Sequence, residues 1–143
     1  MKIEIVVYSQ TGNIMSAART ALEKLAEKGH SAEIIAVPDS VKKSGGDLGG
    51  FDALIFAAPV QAFTPARAMK KYLSNIEFIK GKKAACFVTQ NLSPKFGGNR
   101  AVRIMCGICR QKGAEIFQTG IVRWDENRGE AIGALCGKLC AID

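Results

Sequence analysis

The stretch VVYSQTGNIMSAA, Val6 to Ala18, places Ser9, Gln10, Thr11, Gly12 and Asn13 between an apolar run and a helix-forming run. The first N–H groups of a helix have no partners inside it and carry the positive end of its dipole, so they favour an anion. Gly12 lets the backbone approach such a ligand closely. Ser9 and Thr11 add hydroxyl donors, and Asn13 adds an amide. The set reads as a nest for a phosphate monoester. Taken alone, the loop also reads as a capped helix start whose hydroxyls serve the backbone. The loop has no Gly-Lys-[Ser/Thr] and no lysine, which excludes Walker A, and it has no G-x-G-x-x-G. A phospho-receiver needs paired acids after its first strand, where Ser9 and Gln10 stand.

Two further stretches carry matching chemistry. FDALIFAAPVQAFTPARAMKKYL supplies Pro59, Val60, Gln61, Ala62, Phe63 and Thr64, an apolar loop with one aromatic that suits the face of a flat ligand. FVTQNLSPKFGGNRA supplies Thr89, Gln90 and Asn91, then Phe96, Gly97 and Gly98. Amides of this kind can meet a heteroaromatic edge.

These loops need a frame. Ile3 to Tyr8 is apolar and β-branched, which predicts a strand covered on both faces. Ile14 to Lys28 has helical spacing, with Ala18, Ala21, Leu22 and Leu25 on one face, and Gly29 stops it. Strands are predicted over 32–37, over 51–58 ended by Pro59, over 82–89 and over 114–122. Residues 38–50 read as a long loop or one poor helical turn. Pro65 suits the first turn of a helix running to Ile76, Asn99 suits the cap of one ending at Lys112 before Gly113, and a last helix runs from Asn127 or Arg128 to Ala141. Buried strands alternating with helices predict an α/β fold. It is a single doubly wound domain over residues 1–143, with a five-stranded parallel sheet of order 2-1-3-4-5 and helices on both faces. Ligands bind such sheets beyond the carboxyl ends of strands 1 and 3, where the winding reverses. All three loops fall on that edge.

Composition narrows the classes. Of 143 residues, 48% are apolar, which excludes a disordered chain, and no apolar run reaches the roughly 18 residues of a membrane helix. Glu4 interrupts the apolar opening, which predicts no secretory leader and a cytoplasmic setting. The five cysteines then read as thiols. Cys106-x-x-Cys109 lies inside a helix, not at its start where a redox pair gains from the dipole, so burial is expected. Cys136 and Cys140 sit one turn apart on the last helix, across the sheet from that pair, which argues against one tetrahedral metal site. His30 reads as a surface residue in a turn, and Trp124 as a packing anchor. The net charge is +7, and between Pro65 and Lys112 eleven Lys or Arg face one acid, Glu77. The excess favours acidic partners, anionic small molecules or weak nucleic-acid attraction, and reads equally as solvated helix faces. The lack of interleaved stacking aromatics argues against nucleic acid.

The chain resembles the short-chain flavodoxins. Their first loop reads [Thr/Ser]-x-Thr-Gly-x-[Thr/Ser], and SQTGNI matches all but the last place; APVQAF loosely follows the end of their third strand, and GKKAACFVTQN is similar to their fourth. The resemblance runs nearly end to end. It implies non-covalent FMN that cycles through its redox forms. Ser9, Gln10, Thr11, Gly12, Asn13 and Ile14 would lie at the phosphate, Pro59, Val60, Gln61, Ala62 and Phe63 along one side of the ring, Thr89, Gln90 and Asn91 at its edge, and Phe96 with Gly97 on the other side. Ile14 replaces a hydroxyl residue, which removes one charged hydrogen bond of roughly 1.5–3 kcal/mol. Gln61 stands where the family often has a stacking aromatic, and Phe63 near its usual glycine. Two functions follow as expectations. The first is an FMN-dependent electron carrier serving redox partner proteins of acidic character. The second is a binding module of the same fold with weak or no FMN binding, which docks acidic partners through its basic face.

Overall fold

The computed structural model describes residues 1–9, 13–38, 48–61, 64–76, 79–90, 97–123, 128–139 and 141. Its elements run β1 (Lys2–Val7), α1 (Asn13–Glu27), β2 (Ser31–Ala36), β3 (Ala53–Gln61), β4 (Thr64–Pro65), α2 (Arg67–Asn75), β5 (Lys83–Gln90), α3 (Gly98–Gln111), β6 (Glu115–Arg123) and α4 (Arg128–Leu139). The main path of the sheet is β2-β1-β3-β5-β6, every pair of it parallel. Counted along that path, this is the expected order, with the two-residue β4 added against β3.

Period-two alternation splits the strands between two cores. Ile3, Ile5 and Val7 of β1, with Ala53, Ile55, Ala57, Ala85 and Phe87, meet Ile14, Ala18 and Leu25 of α1 and Cys136 and Leu139 of α4. Val6 and Tyr8, with Leu54, Phe56, Ala84, Cys86 and Val88, meet Met69, Tyr72 and Leu73 of α2 and Met105, Cys106 and Cys109 of α3. The central strands are therefore apolar on both sides, which is why they read as unbroken runs rather than alternating ones. A register shift in the β5–β6 pair sets Ala84 against Ile116 and Ala85 against Gln118.

Several boundaries differ from the expectation. Pro59 does not end the third strand: β3 runs on to Gln61 because Val60 and Gln61 pair with Pro65 and Thr64. Pro65 is therefore a strand residue, and the helix opens at Arg67. A proline is tolerated in this edge position, where its missing N–H breaks no central ladder. Asn99 is not the cap of α3. That place belongs to Gly97, at φ +120°, whose carbonyl accepts from the Ala101 N–H at 2.8 Å. Gly113 stops the helix as expected, at φ +96°, and a Cβ there would lie 2.9 Å from the Lys80 Cα. No helix of the described residues is long and apolar enough to cross a membrane.

Candidate functional site

The site grows from the carboxyl edge of the sheet. The Tyr8 N–H still donates to the Ala57 carbonyl at 3.0 Å and the Val37 N–H to the Val7 carbonyl at 2.7 Å, so the chain leaves the sheet only at half-buried Ser9. Here β1 lies between β2 and β3, and the winding reverses. Parallel strands deliver every following helix to the same edge. α1, α2 and α3 all begin there, and none has an acidic residue in its first turn. Negative side chains usually balance the positive end of a helix. Three such ends without one make this edge attractive to an anion.

The second wall is a short hairpin. The Thr64 Oγ1 donates to the Gln61 carbonyl at 3.0 Å, and the Ala66 N–H donates to the Pro59 carbonyl at 3.0 Å. These bonds hold half-buried Pro59, Val60 and Gln61 as a paired ledge rather than a loose loop. The third wall is the end of β5. Thr89 is buried and pairs in register with Pro59. Gly97, also buried, then turns the chain into α3, and no side chain caps that helix.

Ser9, Pro59, Val60, Gln61, Thr89 and Gly97 are thus gathered at one edge by β1, β3, β5 and α3. Ile14 is present but turned away: its side chain is buried in the α1–α4 core, leaving only its main-chain N–H for a ligand. Gln10, Thr11, Gly12, Ala62, Phe63, Asn91 and Phe96 lie outside the described residues, as do Trp124 and Cys140. Asn13 and Gln90 are described by backbone alone.

The basic surface is only partly free for partners. The Lys82 Nζ donates to the carbonyls of Gly49 at 3.0 Å and Phe51 at 2.5 Å, and the Lys112 Nζ to that of Ser74 at 3.1 Å. These lysines close gaps in the fold. Arg67, Lys70 and Lys71 instead line an open groove of about 670 Å³ on α2, together with Thr64, Ser74 and Asn75, immediately after the β3–β4 hairpin. His30 is half-buried, with its Nδ1 3.2 Å from the amino terminus.

Sequence reasoning missed two buried groups. Glu4 and the Tyr72 hydroxyl are enclosed on the α2–α3 side, and neither meets a hydrogen-bond partner among the described residues under ordinary ionisation. Burial pushes the Glu4 carboxyl up to about 8, and its cross-strand neighbour Glu33 adds to this by sharing a proton and by its charge, while Lys2 opposes. Burial, with the Glu4 charge, pushes Tyr72 up to about 12. The signal for Glu4 was in view: an acid inside an apolar run that both faces of a sheet must bury.

No family model matches the sequence, and the comparison with curated proteins finds no match either. Solved structures do match. Oxidised flavodoxin 1 from Bacillus cereus superposes with a TM-score of 0.74 at 20% identity, over 100% of both chains. Two-electron reduced Megasphaera elsdenii flavodoxin gives 0.78 at 18%, over 98% of this chain and 99% of its own. Rubredoxin oxygen:oxidoreductase from Desulfovibrio gigas gives 0.73 at 14%, with 98% of this chain lying on 37% of that one. The chain has the flavodoxin fold.

Proposed function

We propose that this chain binds FMN at the carboxyl edge of its sheet and carries electrons between partner proteins. The observation that carries the reading is the switch point between β1 and β3. The first turn of α1 opens there without an acidic residue, beside a hydroxyl at Ser9. The donor set suits a doubly charged phosphate: main-chain N–H groups, the hydroxyls of Ser9 and Thr11, and no acid in the first turn of α1. In this reading Ser9, Gln10, Thr11, Gly12 and Asn13, with the Ile14 N–H, hold the phosphate. Pro59 to Phe63 cover one side of the ring, Thr89 to Asn91 meet its edge, and Phe96 with Gly97 lies on the other side.

FMN would supply the redox chemistry, and the protein placement and electrostatics. The hairpin bonds hold the Pro59–Gln61 ledge in place, and the Pro59–Thr89 register fixes the width between two walls. Nearby positive charge favours the more negative reduced form of a cofactor. The couple should therefore be less reducing than that of an acidic carrier, and a very low midpoint in a potentiometric titration would count against this. Free thiols at Cys86, Cys106, Cys109 and Cys136 fit a reducing, cytoplasmic setting.

An absorption spectrum of freshly isolated protein tests the reading, with added FMN as the second arm. Flavin bands, or saturable quenching of FMN fluorescence, are expected. Saturating FMN with no quenching and no thermal shift would contradict it.

The groove formed by Arg67, Lys70 and Lys71 favours a second reading, a module that docks acidic partners without flavin. Binding to an acidic partner that weakens steeply with salt, together with no FMN quenching, would select it.

A further inference from the structure

Three thiols converge where β5 passes beneath α3. The Cys86 Sγ lies 3.8 Å from the Cys109 Sγ, and Cys106 stands close enough to Cys86 for the two thiols to share a proton. All three are buried free cysteines. Cys106 reaches a cavity. A groove of about 470 Å³ runs between α3 and the edge strand β6, and Cys106 lies in its lining with Val102, Arg103, Arg110 and Thr119. Arg103 and Arg110 are three residues before and four after Cys106, so both guanidinium groups stand on its helical face. Among the described residues no acid lines the groove.

We propose that Cys106 is a peroxide-reactive thiol and Cys86 its resolving partner, so that oxidation closes a disulfide between β5 and α3. Access sets the oxidant. Cys106 is only 3% exposed, which admits hydrogen peroxide and excludes a bulky disulfide. The proton also sits in the right place. A hydrogen bond from Cys86 brings the Cys106 thiol down to about 7 against the cost of its burial, with Arg110 adding, while the same sharing holds Cys86 protonated. The thiolate is the nucleophile in this chemistry.

The Cys106 sulfur attacks one peroxide oxygen. An S–O bond forms, the O–O bond breaks, and the departing hydroxide takes up the proton that Cys106 released, giving water. The Cys86 sulfur then attacks the sulfenic sulfur of Cys106. The S–S bond forms, the S–O bond breaks, and hydroxide leaves with the Cys86 proton as a second water. Two thiols are oxidised by two electrons, and one peroxide is reduced. Cys109 does not resolve Cys106, because residues three apart on a continuous helix hold their Cβ atoms roughly 5–6 Å apart, beyond disulfide reach. Nor does Cys109 stand among the described residues that line the groove.

The test treats the intact, reduced chain with hydrogen peroxide, caps remaining thiols and digests at Lys and Arg. Peptide 84–95 should appear joined to peptide 104–110, lighter than their sum by two hydrogens, with fragment ions placing the bond on Cys106. Cys106→Ser should lower the joined species roughly tenfold or more, and Cys109→Ser should leave it. Cys86→Ser should leave a sulfenic acid on Cys106 that dimedone traps. If a variant fails to fold, fragmentation of the native chain still assigns the bond. Peptides 84–95 and 104–110 remaining fully capped after peroxide, or a bond placed on Cys109, would overturn the proposal.

Discussion

The two faces of the sheet differ in kind. The α1–α4 face is closed with small and aliphatic side chains around Phe87, with a single described thiol, Cys136. The α2–α3 face encloses, besides its apolar residues, the Glu4 carboxyl, the Tyr72 hydroxyl and three thiols. Neighbouring residues of one strand are sorted to these opposite fates: Ile3 and Ile5 are sealed in one core, and Glu4 between them in the other. The difference teaches that an unbroken apolar strand need not have two equivalent sides. One face secures the fold here, while the other gives up stability to house ionisable groups.

The largest effect should come from breaking the dry face. Phe87→Ala removes a large ring that is 1% exposed and should cost about 3–5 kcal/mol, read as a fall in the urea midpoint. A small loss would mean that this face is less closely packed than its burial implies.

The opposite sign is expected across the sheet. Glu4 binds its proton more tightly folded, up to about 8, than its ordinary value of 4.5. Between those values the unfolded chain has already released the proton that the folded chain retains. The Glu4 contribution is therefore whole below about pH 4.5 and is lost as pH rises to about 8. Glu4→Gln keeps the shape and removes the titration. It should flatten the decline of stability over that interval and leave the variant more stable than the native chain at pH 8, by on the order of 2 kcal/mol. Urea melts of both chains at pH 5 and pH 8 measure this, and parallel pH dependence would refute the assignment.

The smallest effect belongs to Tyr72. Its hydroxyl is buried with no partner among the described residues, so Tyr72→Phe should be neutral or stabilising by up to about 1 kcal/mol. A clear loss of stability would show that the hydroxyl is satisfied after all. In the same experiment the midpoint of the Glu4 titration should hardly move, since Tyr72 is neutral over that range.

Much of the fold was legible because long-range order here follows from local pattern. Apolar runs at 3–8 and 82–89 announce buried strands, and the spacing of Ala18, Ala21, Leu22 and Leu25 announces the covering helix. Gly29 and Gly113 mark helix ends by the positive φ they adopt. The opposite placement of Cys106 and Cys136 also followed, since crossover alternation assigns helices to faces before any contact is known. The β3–β4 hairpin was not legible. Four paired residues give no periodicity, and Pro59 and Pro65 read as breaks although both sit in strands. Gly97 rather than Asn99 heads α3 because a left-handed residue was needed to turn the chain, a demand set by tertiary geometry. The gathering of Ser9, the Pro59–Gln61 ledge, Thr89 and Gly97 at one edge was readable from topology. The convergence of Cys86 on Cys106 and Cys109 was not, because it depends on which way one strand residue faces one helix.

The central claim is that the edge beyond β1 and β3 grips a phosphate ester on a flavin. Parallel titrations with FMN and with riboflavin, which lacks only the phosphate, test it most directly. The account predicts that FMN binds roughly a hundredfold or more tightly, the worth of two charged hydrogen bonds, and that Ser9→Ala narrows the gap by about tenfold. Equal affinity for the two flavins, or none for either, would contradict it.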